Sequence, residues 1–267
     1  MRRIVWVLLP LLLLGCGSGN YKISKEEYRD RVRTLGVAPL LVDAGSTIEH
    51  PDRQQVIDLL RRHNAGKAEE LISMLRKQKG YFDVRGISGD PQQLFSRMVR
   101  ESALRGEGPA LYRRYQFNSA AVAELARDNV VDALLVVIAN GVVRKETRRD
   151  RGPLLAYLEA PFNPILMTAA VVLPSGEIAW EYSGAAGENF LPLQFAAFDE
   201  AYYNKTDEVK IKYLSVEGLE RALGTPEKDL FGGKKLSQPY GTLLEQIVAA
   251  LHPGFLMPKR SPEAEKK

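Results

Sequence analysis

The run from Val130 to Val143, VVDALLVVIANGVV, contains one charged residue and is otherwise almost wholly apolar. A continuous run this rich in valine predicts a strand buried on both faces, in the middle of a sheet and at the centre of the core. The rest of the chain must supply strands beside it and elements above and below it.

Reading in order, Ser24-Lys25-Glu26-Glu27 has the spacing of a helix capping box and predicts a brief helical turn. Thr34 to Val42 predicts the first strand, with Pro39 marking an edge position or a bulge. Val56, Leu59 and Leu60, then Leu71, Ile72 and Leu75, recur at helical spacing between Pro51 and Lys79. Asn64-Ala65-Gly66 divides that stretch into two helices. Gly80 falls where a left-handed helix end is expected, and Tyr81 to Val84 reads as a short strand. Asp90-Pro91 opens a helix to about Leu104, ended by Gly106-Glu107-Gly108-Pro109. Another helix runs from Ser119 as cap to Asp128. Ile165–Leu173 and Ile178–Ser183 form a hairpin around Pro174-Ser175-Gly176-Glu177. Trp180 and Tyr182 alternate there and share one face. Val216–Leu223 and a segment opened by a capping box at Thr242 complete the helices. Phe190 to Tyr203 is aromatic-rich without a clear period.

The amino terminus carries a different message. Arg2 and Arg3 precede eleven apolar residues, Ile4 to Leu14, followed by Gly15 and Cys16. The run is shorter than the ~20 residues needed to cross a bilayer, and no small-x-small cleavage site ends it. The segment resembles a bacterial lipoprotein signal whose lipobox is Leu13, Leu14, Gly15 and Cys16. The resemblance implies that Cys16 carries a thioether-linked diacylglycerol and begins the mature protein. Cys16 is the only cysteine, so an intramolecular disulfide and a cysteine metal cluster are both impossible. Gly17 after Cys16, where another residue type would be Asp, resembles an outer-membrane sorting pattern. Residues 16–33 then read as anchor and tether.

Composition closes off other classes. Of 267 residues, 45% are hydrophobic and 26% charged, which fits a globular chain. The formal charge is +4, with Arg2 and Arg3 included. That balance argues against a nucleic-acid partner, which calls for a basic stripe.

The middle of the chain, residues 34–184, resembles a group of bacterial envelope lipoproteins and periplasmic modules. The group includes the curli-secretion lipoprotein CsgG, the peptidoglycan-synthase activator LpoB and the amino-terminal domain of TolB. The likeness rests on the Leu35–Val42 strand, the pair Gly80-Tyr81 with Phe82, Val131-Asp132-Ala133-Leu134-Leu135-Val136, and Ser175-Gly176-Glu177-Ile178-Ala179-Trp180. It implies an α/β domain, a mixed β-sheet flanked by helices, that binds other envelope proteins. Residues 185–257 are expected as a carboxyl-terminal extension with helices packing on that domain, and 258–267 as a polar tail.

Chemistry-bearing patterns are few. His50 and His63 are thirteen residues apart, which is no metal-ligand spacing, so no metal or other cofactor is expected. Asp43, Glu49 and His50 could form an acid–base group on one loop, and a solvated polar loop is the plainer reading. No nucleophile elbow or phosphate loop stands in a suitable context. Arg144, Lys145, Arg148, Arg149 and Arg151 form a charge run, a candidate interaction loop for anionic headgroups or an acidic partner. The expectation is a non-enzymatic, lipid-anchored assembly module in the periplasm, on the outer membrane. The alternatives are a subunit of an outer-membrane secretion complex, or a hydrolase using the Asp43–His50 loop.

Overall fold

The computed structural model describes residues 19–150, 157–227 and 236–252. The lipobox residues Leu13, Leu14, Gly15 and Cys16, the basic residue Arg151 and the carboxyl-terminal tail lie outside them.

The described residues open with helix α1 (Lys25–Arg31), strand β1 (Thr34–Val37), the two-residue strand β2 (Leu41–Val42), and helices α2 (Arg53–Asn64) and α3 (Lys67–Gln78). Next come β3 (Asp83–Gly86), α4 (Pro91–Met98), β4 (Val99–Arg105), a 3-10 turn at Gly108–Ala110, β5 (Tyr112–Phe117) and α5 (Ser119–Asp128). The central strand β6 (Ala133–Gly141) leads into β7 (Arg144–Arg149), β8 (Tyr157–Phe162), β9 (Pro164–Val172) and β10 (Ile178–Tyr182). The last part holds β11 (Leu191–Pro192), β12 (Gln194–Ala196), α6 (Phe198–Tyr203), β13 (Ile211–Tyr213), α7 (Val216–Gly224) and α8 (Gln238–Ala250).

The main sheet runs β10-β9-β6-β1-β3, with β2 also on β6 and β11 also on β9. β1 is parallel to both β3 and β6, whereas β9 is antiparallel to β6 and to β10. The fold is mixed α/β, and β6 is its middle strand.

Every residue of β6 is buried because both faces are covered. Ala133, Leu135, Val137 and Ala139 point to the larger core, packed by α1, α2, α3, α7 and α8. Leu134, Val136 and Ile138 point to the smaller one, packed by α4, α5 and β5. This period of two is strand geometry. Trp180 and Tyr182 stack on the larger-core face with ring centroids 6.2 Å apart.

Several elements depart from the sequence expectations, each for a physical reason. Pro39 interrupts the first strand, so β1 and β2 pair with successive parts of β6 and leave Ala38-Pro39-Leu40 between them. The helix from Pro91 stops at Met98, where Val99 takes extended geometry and starts the β4–β5 hairpin. Pairing with β5, whose residues lie seven to eighteen positions further along the chain, overrides the local helical spacing. Asn118 caps α5 in place of Ser119, and Lys79 takes the left-handed position expected of Gly80. The last helix starts at Gln238 behind Ser237, ahead of the Thr242 capping box, because Pro239 fits its first turn. Residues 20–33 are no mere tether: Tyr28 and Val32 are buried in the larger core, and Asn20 to Lys22 bond along β10. That segment covers an edge otherwise open to another strand. The charge run Arg144–Arg149 is strand β7, paired with β8, and not a loop. Burial alternates along both strands.

Candidate binding surfaces at one end of the sheet

β6 and β10 run in the same direction, since each is antiparallel to β9. Beyond the carboxyl end of β6 the chain forms the β7–β8 hairpin, and beyond β11 at the same end it forms β12, α6 and β13. This end of the sheet carries nearly all the sequence-predicted candidates.

The hairpin is fixed at its base by Arg144. Its Nε donates to Glu146 Oε1 at 2.9 Å, Nη1 to the Pro109 carbonyl at 2.9 Å, and Nη2 to the Glu188 carbonyl at 2.6 Å. Nη2 also donates to Asn189 Oδ1 at 2.5 Å. Both side chains of the Arg144–Glu146 pair are buried. Arg148 reaches the second oxygen of Glu146 and lies over the Phe162 ring, 4.8 Å from its centroid. Glu146 is therefore a carboxylate shared by two guanidinium groups, with the Asn189 amide beside it. Lys145 and Arg149 take the opposite face: Lys145 pairs with Glu159 at 2.8 Å, and Arg149 lies over Tyr157. The predicted interaction residues thus divide in two. Arg144 and Arg148 hold the hairpin in place, while Lys145 and Arg149 face solvent.

The Asp43–His50 loop does not form an acid–base group. Tyr115 Oη donates to Asp43 Oδ2 at 2.9 Å, and Gly45 N donates to Oδ1 at 3.0 Å. Burial and the charge of Asp43 push the Tyr115 hydroxyl far above its ordinary pKa, so it stays a donor. His50 uses both ring nitrogens: Nε2 meets the Leu214 carbonyl at 2.8 Å and Nδ1 accepts from Asp52 N at 3.0 Å. With Nδ1 accepting, Nε2 is the donor to Leu214, and this bond ties the loop to the chain after β13. Glu49 is exposed, its backbone N–H held by Asn163 Oδ1.

A cleft of about 540 Å³ opens at the carboxyl ends of β1 and β3. The chain leaving β1 turns towards the α2–α3 face and the chain leaving β3 towards α4, so the two loops part there. Val37, Val42, Ile72 and Ile87 give it an apolar lining, with Arg61 and Asn64 among its polar groups. Asn64 Oδ1 accepts from Tyr240 Oη at 2.7 Å and Arg61 Nη1 pairs with Asp58, while Arg61 Nε is buried without a hydrogen-bond partner. No charge run or histidine spacing marks this cleft in the sequence, because only the parting of two loops creates it. Among the described residues, no group of three or more His, Cys, Asp or Glu could hold a metal ion.

Beyond β11, a pair of strands and a short helix expose aromatic rings. Phe195 lies opposite Lys212 in the β12–β13 ladder, and Lys212 pairs with Glu200 of α6. At the end of α6, Tyr202 and Tyr203 are 64% and 79% exposed, their ring centroids 5.4 Å apart. Composition marked this stretch as aromatic-rich, but its exposure follows from its position past the end of the core.

No protein-family model matches the chain, and no curated relative matches it. Among solved structures, it is similar to a Helicobacter pylori protein described as a neuraminyllactose-binding hemagglutinin homologue. The identity is 9% and the TM-score 0.38, over 83% of this chain and 86% of the other.

Proposed function

We propose that this chain is a lipid-anchored envelope lipoprotein acting as a protein-binding or assembly module in the periplasm, without catalytic chemistry of its own. The observation that carries this reading is the buried Arg144–Glu146 pair at the base of the β7–β8 hairpin. A buried ion pair is a poor source of stability, because desolvation offsets its attraction. What it does supply is a fixed geometry, here holding a two-stranded projection to Pro109 and Glu188. The held face presents Lys145, Arg149, Tyr157 and Glu159, a mixed polar and aromatic surface suited to a protein partner.

The lipoprotein half of the reading rests on the Leu13 to Cys16 resemblance. Among the described residues, no helix is long and apolar enough to cross a membrane, which is compatible with a lipid anchor. Membership of an outer-membrane secretion complex is the second reading, favoured by the alternating burial of β7 and β8. A membrane-spanning strand needs about ten residues, and β7 and β8 have six each.

The test has two arms. Cys16→Ala should leave an unprocessed precursor that takes up no labelled fatty acid; processing and acylation of that variant would end the lipoprotein reading. Cross-linking in intact envelopes should capture a protein partner with the wild-type chain and much less with Lys145→Gln/Arg149→Glu. Equal capture by both would remove the hairpin from the interface.

A further inference from the structure

We propose that the carboxyl end of the sheet lies against a phospholipid bilayer, with Phe195, Tyr202 and Tyr203 at headgroup depth. The proposal rests on the reading of Cys16 as lipidated. Asn20 accepts from Glu181 N and Lys22 N donates to Ala179, so the first described residues run antiparallel to β10. Followed backwards, the described residues from Lys22 to Gly19 therefore head towards the carboxyl end of β10, which is also the carboxyl end of β6. Cys16 stands three residues before Gly19, a span of at most about 11 Å.

That span decides the geometry. Glu181 is level with Ala170 of β9 and so with Val136 of β6, five residues short of Gly141. Three extended residues from Gly19 bring Cys16 only to about the end of β6. β12, α6 and β13 lie past that end, where Gln194 Oε1 accepts from Asn163 N. A lipid on so short a lead leaves these elements no room to stand clear of the bilayer.

Their surface has the chemistry for that position. Tyr202 and Tyr203 are exposed rings whose polar tip favours the headgroup region, and exposed Phe195 adds apolar area beside them. The charges around them do not favour anionic lipid: Asp199, Glu200, Asp207 and Glu208 offset Lys205, Lys210 and Lys212. Ring burial carries the contact, so it should be insensitive to salt.

The experiment uses the full lipidated chain in vesicles of phosphatidylethanolamine and phosphatidylglycerol. Because Cys16 is the only cysteine and its sulfur is blocked as a thioether in the lipidated chain, Tyr203→Cys and Phe195→Cys each give a single thiol for a nitroxide label. Phe82→Cys, exposed before β3 at the opposite end of the sheet, is the reference. The ratio of collision rates with oxygen to those with a water-soluble nickel chelate should be several-fold higher at 203 and 195 than at 82, and unchanged by added salt. Labels at 203 and 195 as water-exposed as the one at 82 would overturn the proposal and leave the rings for a protein partner. Mass spectrometry of the amino-terminal peptide reads lipidation separately. If Cys16 carries no lipid, the lipoprotein reading fails by itself. The labelled chains with Cys16→Ser, added to the same vesicles, then decide whether the rings bind lipid unaided, and water-exposed labels would again overturn the contact.

Discussion

Arg144 and Glu146, two residues apart on one face of β7, bury a guanidinium–carboxylate pair at 2.9 Å within a charge run that the sequence presents as a candidate interaction loop. Removing Arg144 leaves the buried Glu146 with Arg148 as its remaining counter-ion and takes the donor from the Pro109 and Glu188 carbonyls. Arg144→Met should therefore cost about 3–5 kcal/mol, read as a lower urea midpoint. Arg144→Met/Glu146→Met should recover the part of that loss due to the carboxylate, because Arg148, a third exposed, can turn to water, while the Pro109 and Glu188 carbonyls still lack their donor. A double variant no more stable than the single would show that the pair itself is not the source of the cost.

The two halves of the charge run should separate cleanly. Lys145→Gln/Arg149→Glu changes only exposed groups and should move the melting temperature little, since such pairs are worth about 0–1 kcal/mol. If these residues meet an acidic partner, wild-type binding should fade as salt rises and the double variant should bind weakly at low salt. Charge reversal that includes Arg144 would confound the test with unfolding.

Leu135 is wholly buried under the α2–α3 face. Leu135→Ala should cost about 2–5 kcal/mol through lost contacts and a residual cavity, a large share of a typical domain's 5–15. Denaturant titration reads this directly. Unchanged stability would mean that the site collapses around the smaller side chain.

At Gly141 the sheet approaches the loop before α2 so closely that a Cβ would lie 2.3 Å from the Thr47 carbonyl oxygen. Backbone cannot yield as a side-chain end can, so Gly141→Ala should destabilise by about 1–3 kcal/mol. It should also shift the amide resonances of Ser46 to Ile48, because Gly141 N donates to Ser46 Oγ at 2.9 Å.

His63 gives a pH dependence of known sign. Burial between α2 and α7 lowers its pKa below the ordinary 6.5, against the opposing pull of Glu220. The unfolded chain then takes up the proton first as pH falls. Stability from this group is intact above pH 7 and lost as pH drops through 6.5 towards the folded pKa. His63→Gln should flatten that part of the melting-temperature profile, and an unaltered profile would assign the acid loss to other groups.

What the sequence determined by itself is the core. Strands that a sheet buries on both faces must be apolar throughout, so Ala133–Gly141 was legible from composition alone, as were α2 and α3 from helical spacing. Tertiary structure decided the surfaces. Whether Arg144 is solvated or buried depends on Glu188 and Pro109, some forty residues away on either side, and local chemistry cannot anticipate that. The same holds for β4 and β5, where each strand owes its form to the other, and for Asp43 and His50. Their nearness in sequence suggested a shared site, but Tyr115 and Leu214 claim them separately. The cleft beside β1 and the exposed rings of α6 have no motif at all. They exist because two loops part at the end of a sheet and because a short helix lies beyond the reach of the core.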